Sequence, residues 1–235
     1  MIPIGDDNRD RRRPGRVTML LILANIAVFI HELRLLNRDD LQLLTFFYRW
    51  GAIPYELTRL DDLPPEIGLP VVVTAFTAMF LHGGWLHLLG NMLYLWVFGD
   101  NVEDTLGHLR YLLFYLACGL GATVAQILLE PASRVPLIGA SGAISGVLAA
   151  YLLLYPLRRV TVLVIILRFH VPAWLVIGMW IGLQFFNTYA MFASTSQTGA
   201  EDNTAYMSHI GGFVAGIALI LLLGGRQRLL RRTVR

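Results

Sequence analysis

Five residues of this 235-residue chain are of types that do chemistry and lie where the surrounding sequence is apolar: His82, His87, Asn91, Ser141 and His209. Ser141 stands in Leu137-Ile138-Gly139-Ala140-Ser141-Gly142-Ala143-Ile144-Ser145-Gly146, at the head of an apolar run. A serine hydroxyl becomes a nucleophile when a base takes its proton. The candidate base is His209, in Ser208-His209-Ile210-Gly211-Gly212-Phe213-Val214-Ala215-Gly216. Attack on a peptide carbonyl creates an oxyanion, which needs hydrogen-bond donors. His87 and Asn91 are i and i+4, so on a helix they share a face and can supply side-chain donors. The backbone N–H of Ser141 can add another, in the favourable dipole field of a helix N-terminus. Glu201 and Asp202 fall in the loop before the helix of His209, so no carboxylate is in place to orient it. A Ser–His dyad is therefore more economical than a triad.

Each motif alone has an ordinary explanation. A serine among glycines is common where membrane helices pack closely, and position 143 is alanine, so the second glycine of a Gly-x-Ser-x-Gly elbow is missing. Asn91 alone reads as a helix-packing hydrogen bonder, and His209 alone as a satisfied core histidine. His82, five residues before His87 across Gly83-Gly84, reads as a brace for the loop or a hydrogen-bond donor. Ser145 reads as a packing residue. The histidines His82, His87 and His209 could instead be grouped as metal ligands, but there is no HExxH and no nearby carboxylate. Gly142 and Gly146 are four apart, as are Gly212 and Gly216, a spacing that lets two helix backbones approach.

The elements that must position these groups are membrane spans. The chain is 56% hydrophobic and only 15% charged, with a mean hydropathy of +0.59, where a soluble domain carries about 25% charged residues. One bundle is expected, since each span needs about 20 residues. Residues 1–16 form a polar tail. The spans are expected at about Thr18–Leu33, Trp85–Phe98, Tyr111–Leu129, Ser141–Tyr155, Pro172–Tyr189 and Ala205–Leu223. Asn25, inside the first, reads as a packing group. Residues 35–70 mix aromatics with Arg38, Asp39, Asp40 and Arg49, which suits a segment lying in the headgroup layer. Val71 to Leu81 is apolar and suits a short helix or re-entrant piece. Asp100, Glu103, Asp104 and Arg110 are expected in a turn, residues 160–170 at the interface, and Met191 to Asp202 in a polar loop. Residues 17–224 make up the membrane domain and 225–235 a basic tail.

Thirteen arginines fall on the side of both tails, against five in the longer loops opposite. This puts both termini in the cytoplasm and requires an even number of spans, which six satisfies. The second, fourth and sixth spans are then all entered from outside. His87, Asn91, Ser141 and His209 consequently lie at similar shallow depth. The arginines cluster beside apolar segments, as orientation demands, and give no nucleic-acid signal. The one cysteine, Cys118, rules out an intramolecular disulfide.

In this order, His82, His87-Leu88-Leu89-Gly90-Asn91, Gly139-Ala140-Ser141-Gly142, and His209 with Gly212 and Gly216, the motifs resemble those of the rhomboid intramembrane serine proteases, over about Val71 to Gly216. The resemblance implies an all-α polytopic membrane protein, a six-transmembrane-helix bundle with an interfacial loop after the first helix. It implies Ser141 as nucleophile, His209 as base, and His87 and Asn91 in the oxyanion hole. It implies cleavage of single-span membrane proteins near the outer membrane surface, with no cofactor or metal. Partners would be those transmembrane substrates and membrane lipid. Two departures stand out. Some family members have an aromatic residue four places after the serine, where this chain has Ser145, and the first loop has Arg49-Trp50 in reversed order. A non-catalytic client-binding relative and a small-solute transporter are the competing readings. Short tails and the lack of a transit-like N-terminus point to a bacterial inner membrane. Trp174, Trp180, Gln184, Phe185 and Phe186 make the fifth span the expected movable side of the cavity.

Overall fold

A computed structural model describes residues 1–198, 206–225 and 227, with the side chains of all of these except 187–198. Helix α1 (Arg16–Leu36) has 21 residues, a rise of about 31 Å, enough to cross a hydrocarbon layer of about 30 Å. Its first turn is tied to the far end of α5 (Trp85–Leu106), whose Glu103 carboxylate accepts from the backbone N–H groups of Val17 (2.9 Å) and Thr18 (2.8 Å) and from the Thr18 hydroxyl (2.7 Å). These are donors that the helix leaves without intrahelical partners.

The segment between them carries α2 (Asp40–Trp50), capped by Asp39 accepting from the Leu41 N–H, and α3 (Pro54–Arg59), with proline at its first position. A 3-10 turn (Val71–Val73), the short α4 (Thr74–Thr77) and a second 3-10 turn (Ala78–Phe80) follow. This piece meets α5 at 84° across Leu81–Gly84, a break of the kind the glycines there predict. Helices α6 (His108–Leu129), α7 (Ser141–Leu154), α8 (Ala173–Thr198) and α9 (Tyr206–Leu222) complete the bundle.

Among the described residues two helices, α1 and α6, are each long and apolar enough to cross a membrane, or three if the bent pair Val71–Phe80 and Trp85–Leu106 is counted as one span. α7, the Ala173–Phe186 part of α8, and α9 are shorter apolar helices. α7 is buried from Gly142 to Tyr151 and sits in the middle, packed against α5, α6 and α9.

Three expectations need correction. The chain is mostly helical but not all-α: β1 (Ile2–Asp6), β2 (Arg159–Val164) and β3 (Leu167–Pro172) form an antiparallel sheet in that order. Residues 160–166 are β-branched at every position but Leu163, and Val160 and Val162 turn into the core, so the polar N-terminal tail gains a strand partner. The acidic run 100–104 is not a turn: α5 continues to Leu106, because Glu103 is satisfied by α1, and Asp100 by Arg11 from the N-terminal segment. α8 runs through Thr198, so much of the loop expected from Met191 is helix; residues 199–202 lie outside the described residues, as do Ala205 and the tail arginines Arg226, Arg228, Arg231, Arg232 and Arg235.

Candidate active site

Ser141 is the first residue of α7, and the loop that delivers it is fixed from two sides. Ala52 and Leu137 exchange backbone hydrogen bonds (3.0 and 2.9 Å), and the Gly139 N–H donates to the Ala78 carbonyl (2.8 Å). Gly139 has φ +122°, and a Cβ there would fall 2.6 Å from His87 Nε2. Only glycine lets the His87 imidazole lie against the chain two residues before the serine.

The Gly-x-x-x-Gly pairs bring α7 and α9 into backbone contact. A Cβ on Gly216 would meet Gly146 Cα at 2.5 Å, one on Gly212 would fall on the Gly142 carbonyl oxygen, and one on Gly142 would meet Ala122 Cβ of α6 at 2.5 Å. At this separation the side chains of the first turns of α7 and α9 meet. The Ser141 Oγ and His209 Nε2 are 2.7 Å apart. Ser145, in place of an aromatic, donates to the Ser141 carbonyl at 2.6 Å and takes no part in holding His209.

His209 is held instead from α8. Its Nδ1 lies 2.7 Å from Gln184 Oε1, and the Trp180 ring lies 5.8 Å from its ring, centroid to centroid. The sequence places Gln184 on the movable side of the cavity, not as a partner of the histidine. One side chain in a helix carries no spacing relation to a motif on another, so only the packing of α8 on α9 discloses it.

On the opposite wall, His82 and Asn91 are joined, Nε2 to Nδ2, at 2.9 Å. His82 Nδ1 donates to the Phe80 carbonyl (3.3 Å), which leaves Nε2 as acceptor for one Asn91 amide hydrogen and the other amide hydrogen for a substrate oxygen. His82 also stacks edge-on against His87, with centroids 5.0 Å apart. Its own N–H donates to the Glu32 carboxylate (3.1 Å), a buried acid on α1 that sequence reasoning missed. The available signal was a charge inside an apolar span, costly unless it has a partner.

Two adjoining hollows meet at this place. One, of about 140 Å³, is lined by Met79, His87, Thr123, Gly139, Ser141 and His209; the other, of about 230 Å³, by His87, Asn91, Tyr94, Ser141, Trp180 and His209. Wider hollows occur at the sheet end, but they lie among Asp6, Arg11 and Arg16 or among Asp10 and Arg158, remote from the serine. Among the described residues no group of His, Cys, Asp or Glu is arranged to hold a metal ion. The ring nitrogens of His82 and His209 are committed to other partners.

A sequence model of the Rhomboid domain matches residues 70–226, about two thirds of the chain. The chain belongs to the rhomboid family. Rhomboid-like protein 11, chloroplastic, of Arabidopsis thaliana is 25% identical over 92% of this chain and 69% of its own length. The rhomboid protease AarA of Providencia stuartii is 27% identical over 88% of this chain and 73% of its own. The rhomboid protease GluP of Bacillus subtilis is 45% identical over a stretch covering 32% of this chain and 14% of its own. Rhomboid membership makes this an integral membrane protein, in keeping with its apolar helices.

Proposed function

We propose that this rhomboid is an intramembrane serine endopeptidase acting through Ser141 and His209. The observation that carries the reading is the 2.7 Å separation of Ser141 Oγ and His209 Nε2 in a hollow shared with His87 and Asn91. Ser141 Oγ attacks the peptide carbonyl carbon while its proton passes to His209 Nε2. His209 then gives that proton to the leaving amine, and an acyl-enzyme remains. A water molecule, deprotonated by His209, releases the new carboxylate and restores the hydroxyl. The oxyanion of each tetrahedral state receives hydrogen bonds from the Asn91 amide, His87 and the Ser141 N–H, which as the first of a helix has no acceptor within it.

In this reading the chain crosses the membrane six times, through α1, α5, α6, α7, α8 and α9. Both termini are cytoplasmic and the substrates are single-span proteins cut near the outer surface. With 14 residues, α7 rises about 21 Å, short of a bilayer core of about 30 Å, so its first residue sits below the surface. The names of the Providencia and Bacillus relatives, both called proteases, support proteolysis, and the membrane proposed is a bacterial inner membrane.

The test is cleavage of a single-span fluorescent substrate by purified protein. Ser141→Ala and His209→Ala are expected to lose activity by at least about 10³-fold while melting as the parent does. Retained cleavage in Ser141→Ala would sink the reading. If the parent chain cleaves nothing, labelling of Ser141 by a fluorophosphonate separates a protease lacking its substrate from a client-binding relative.

A further inference from the structure

We propose that Gln184 is the positioning residue for the base, standing where other serine hydrolases place a carboxylate. The inference rests on the dyad reading above. An amide oxygen only accepts, so Gln184 Oε1 at 2.7 Å calls for a proton on His209 Nδ1. A neutral imidazole with its proton on Nδ1 presents a lone pair on Nε2, the atom 2.7 Å from Ser141 Oγ. The other tautomer would set Nε2–H against the serine and leave the base unable to accept its proton. Gln184 thus selects the competent tautomer and fixes the ring plane.

It does so together with Trp180. The two are i and i+4 on α8, on one face, so the helix grips the imidazole by an edge bond and by the side of a ring. This hold stands in for two devices: a carboxylate on the base, of which there is none among the described residues, and an aromatic at position 145, where Ser145 instead bonds to the Ser141 carbonyl. Gln184 is 9% exposed, and a buried neutral acceptor orients an imidazole without the cost of burying an unpaired charge in an apolar setting. The base lies on α9 and its holder on α8. Separating these helices therefore weakens proton transfer even with Ser141 and His209 both present.

The test uses the full chain in nanodiscs with ¹⁵N-labelled histidine, His209→Ala providing the assignment. The neutral His209 ring is expected as the Nδ1–H tautomer in the parent chain and in Gln184→Glu, which keeps the acceptor oxygen, and as a tautomer mixture in Gln184→Leu. In parallel, Gln184→Leu is expected to lower kcat about 10- to 100-fold, as a misoriented group does, with KM within about twofold. Gln184→Glu recovers most of kcat. An Nε2–H tautomer in the parent, an unchanged kcat in Gln184→Leu, or an effect on KM alone would each overturn the proposal. The spectrum needs no turnover. A chain that holds the Nδ1–H tautomer through Gln184 yet labels and cleaves nothing at Ser141 would refute the protease reading and leave the positioning role standing.

Discussion

The two ends of α7 are built on opposite terms. The N-terminal end, the outer one in the orientation proposed above, is made of small residues: Gly139, Ala140, Ser141, Gly142 and Ala143, against Gly212 and Ala122, with a hollow beside them. The inner end is made of large ones. Tyr151 is fully buried beside Phe98, with ring centroids 4.9 Å apart, and its hydroxyl donates to Asp6 of β1 at 2.5 Å. Tyr155 shares a hydrogen bond with Thr105 (2.6 Å), and Arg158 donates to Asn101 (2.6 Å). Volume and long-range polar bonds make the inner end rigid. That rigidity allows the outer end to keep a cavity and side chains committed to each other rather than to packing. Damage at the inner end is therefore expected in stability, and damage at the outer end in chemistry. The glycine crossing belongs to both.

Gly212→Val tests the crossing and should have the largest effect. Its Cβ would fall on the backbone carbonyl of Gly142, which cannot rotate aside. The cost should exceed the usual ~1–3 kcal/mol of overpacking, with neither folded protein nor Ser141 labelling recovered. Gly178→Val is the control, since a Cβ on Gly178 of α8 meets nothing within 4 Å. A folded, active Gly212→Val would mean that α7 and α9 do not touch as described.

Glu103→Ala comes next and concerns the inner end alone. It would strand the donors of Val17, Thr18 and His108, all now bonded to a fully buried carboxylate. Hydrogen bonds to charged groups are each worth roughly 1.5–3 kcal/mol, and water takes over part of the freed donors, so a loss of at least about 3 kcal/mol is expected in unfolding experiments. The kcat of the folded fraction should stay at the parent value. A fall in kcat without a fall in stability would erase the division between the two ends.

The division also explains what the amino-acid sequence makes legible. Ser141, His209, His87 and Asn91 can be read because polar groups are rare and costly in apolar segments, and because i, i+4 spacing on a helix needs no tertiary knowledge. The Gly-x-x-x-Gly pairs are legible for the same reason. The sheet is not, because β1 finds its partner β2 far along the chain, and a short polar tail gives no periodic signal. Glu103 looks like part of a turn until α1 is seen to donate to it. Gln184 and Glu32 show the limit within the site. Each is a single residue whose meaning lies in a neighbour on another helix, His209 for one and the His82 backbone for the other.

His82→Phe sharpens the comparison at the outer end. Phenylalanine fills the ring space but cannot accept from the Asn91 amide, now 2.9 Å from Nε2. Asn91 is then free to rotate away from the oxyanion. A fall of about tenfold in kcat is expected, close to 1.4 kcal/mol, with melting near the parent value. A collapse in stability with normal kcat would instead make His82 a brace for the loop and remove it from the oxyanion wall.

The smallest effect is expected from Asp6→Asn, and its sign comes from burial. Asp6 accepts from Tyr151 and Asn101, yet its other oxygen is buried without a hydrogen-bond partner among the described residues. Burial raises its carboxyl above the ordinary value, more than the Tyr151 bond and the charges of Arg158 and Arg11 lower it. The folded chain therefore binds this proton more tightly than the unfolded chain. Stability should fall as pH rises from the unfolded carboxylate value through the raised value of Asp6, and hold steady above it. Asparagine keeps an acceptor for Tyr151 but has no proton to lose. Asp6→Asn should remove that decline, leaving a difference of at most about 1 kcal/mol above the window, and leave kcat unchanged. A steeper decline in the variant would mean that the Asp6 charge stabilises the inner end, and that the sheet is held by ion pairing to Arg158 and Arg11 rather than by the neutral bond to Tyr151.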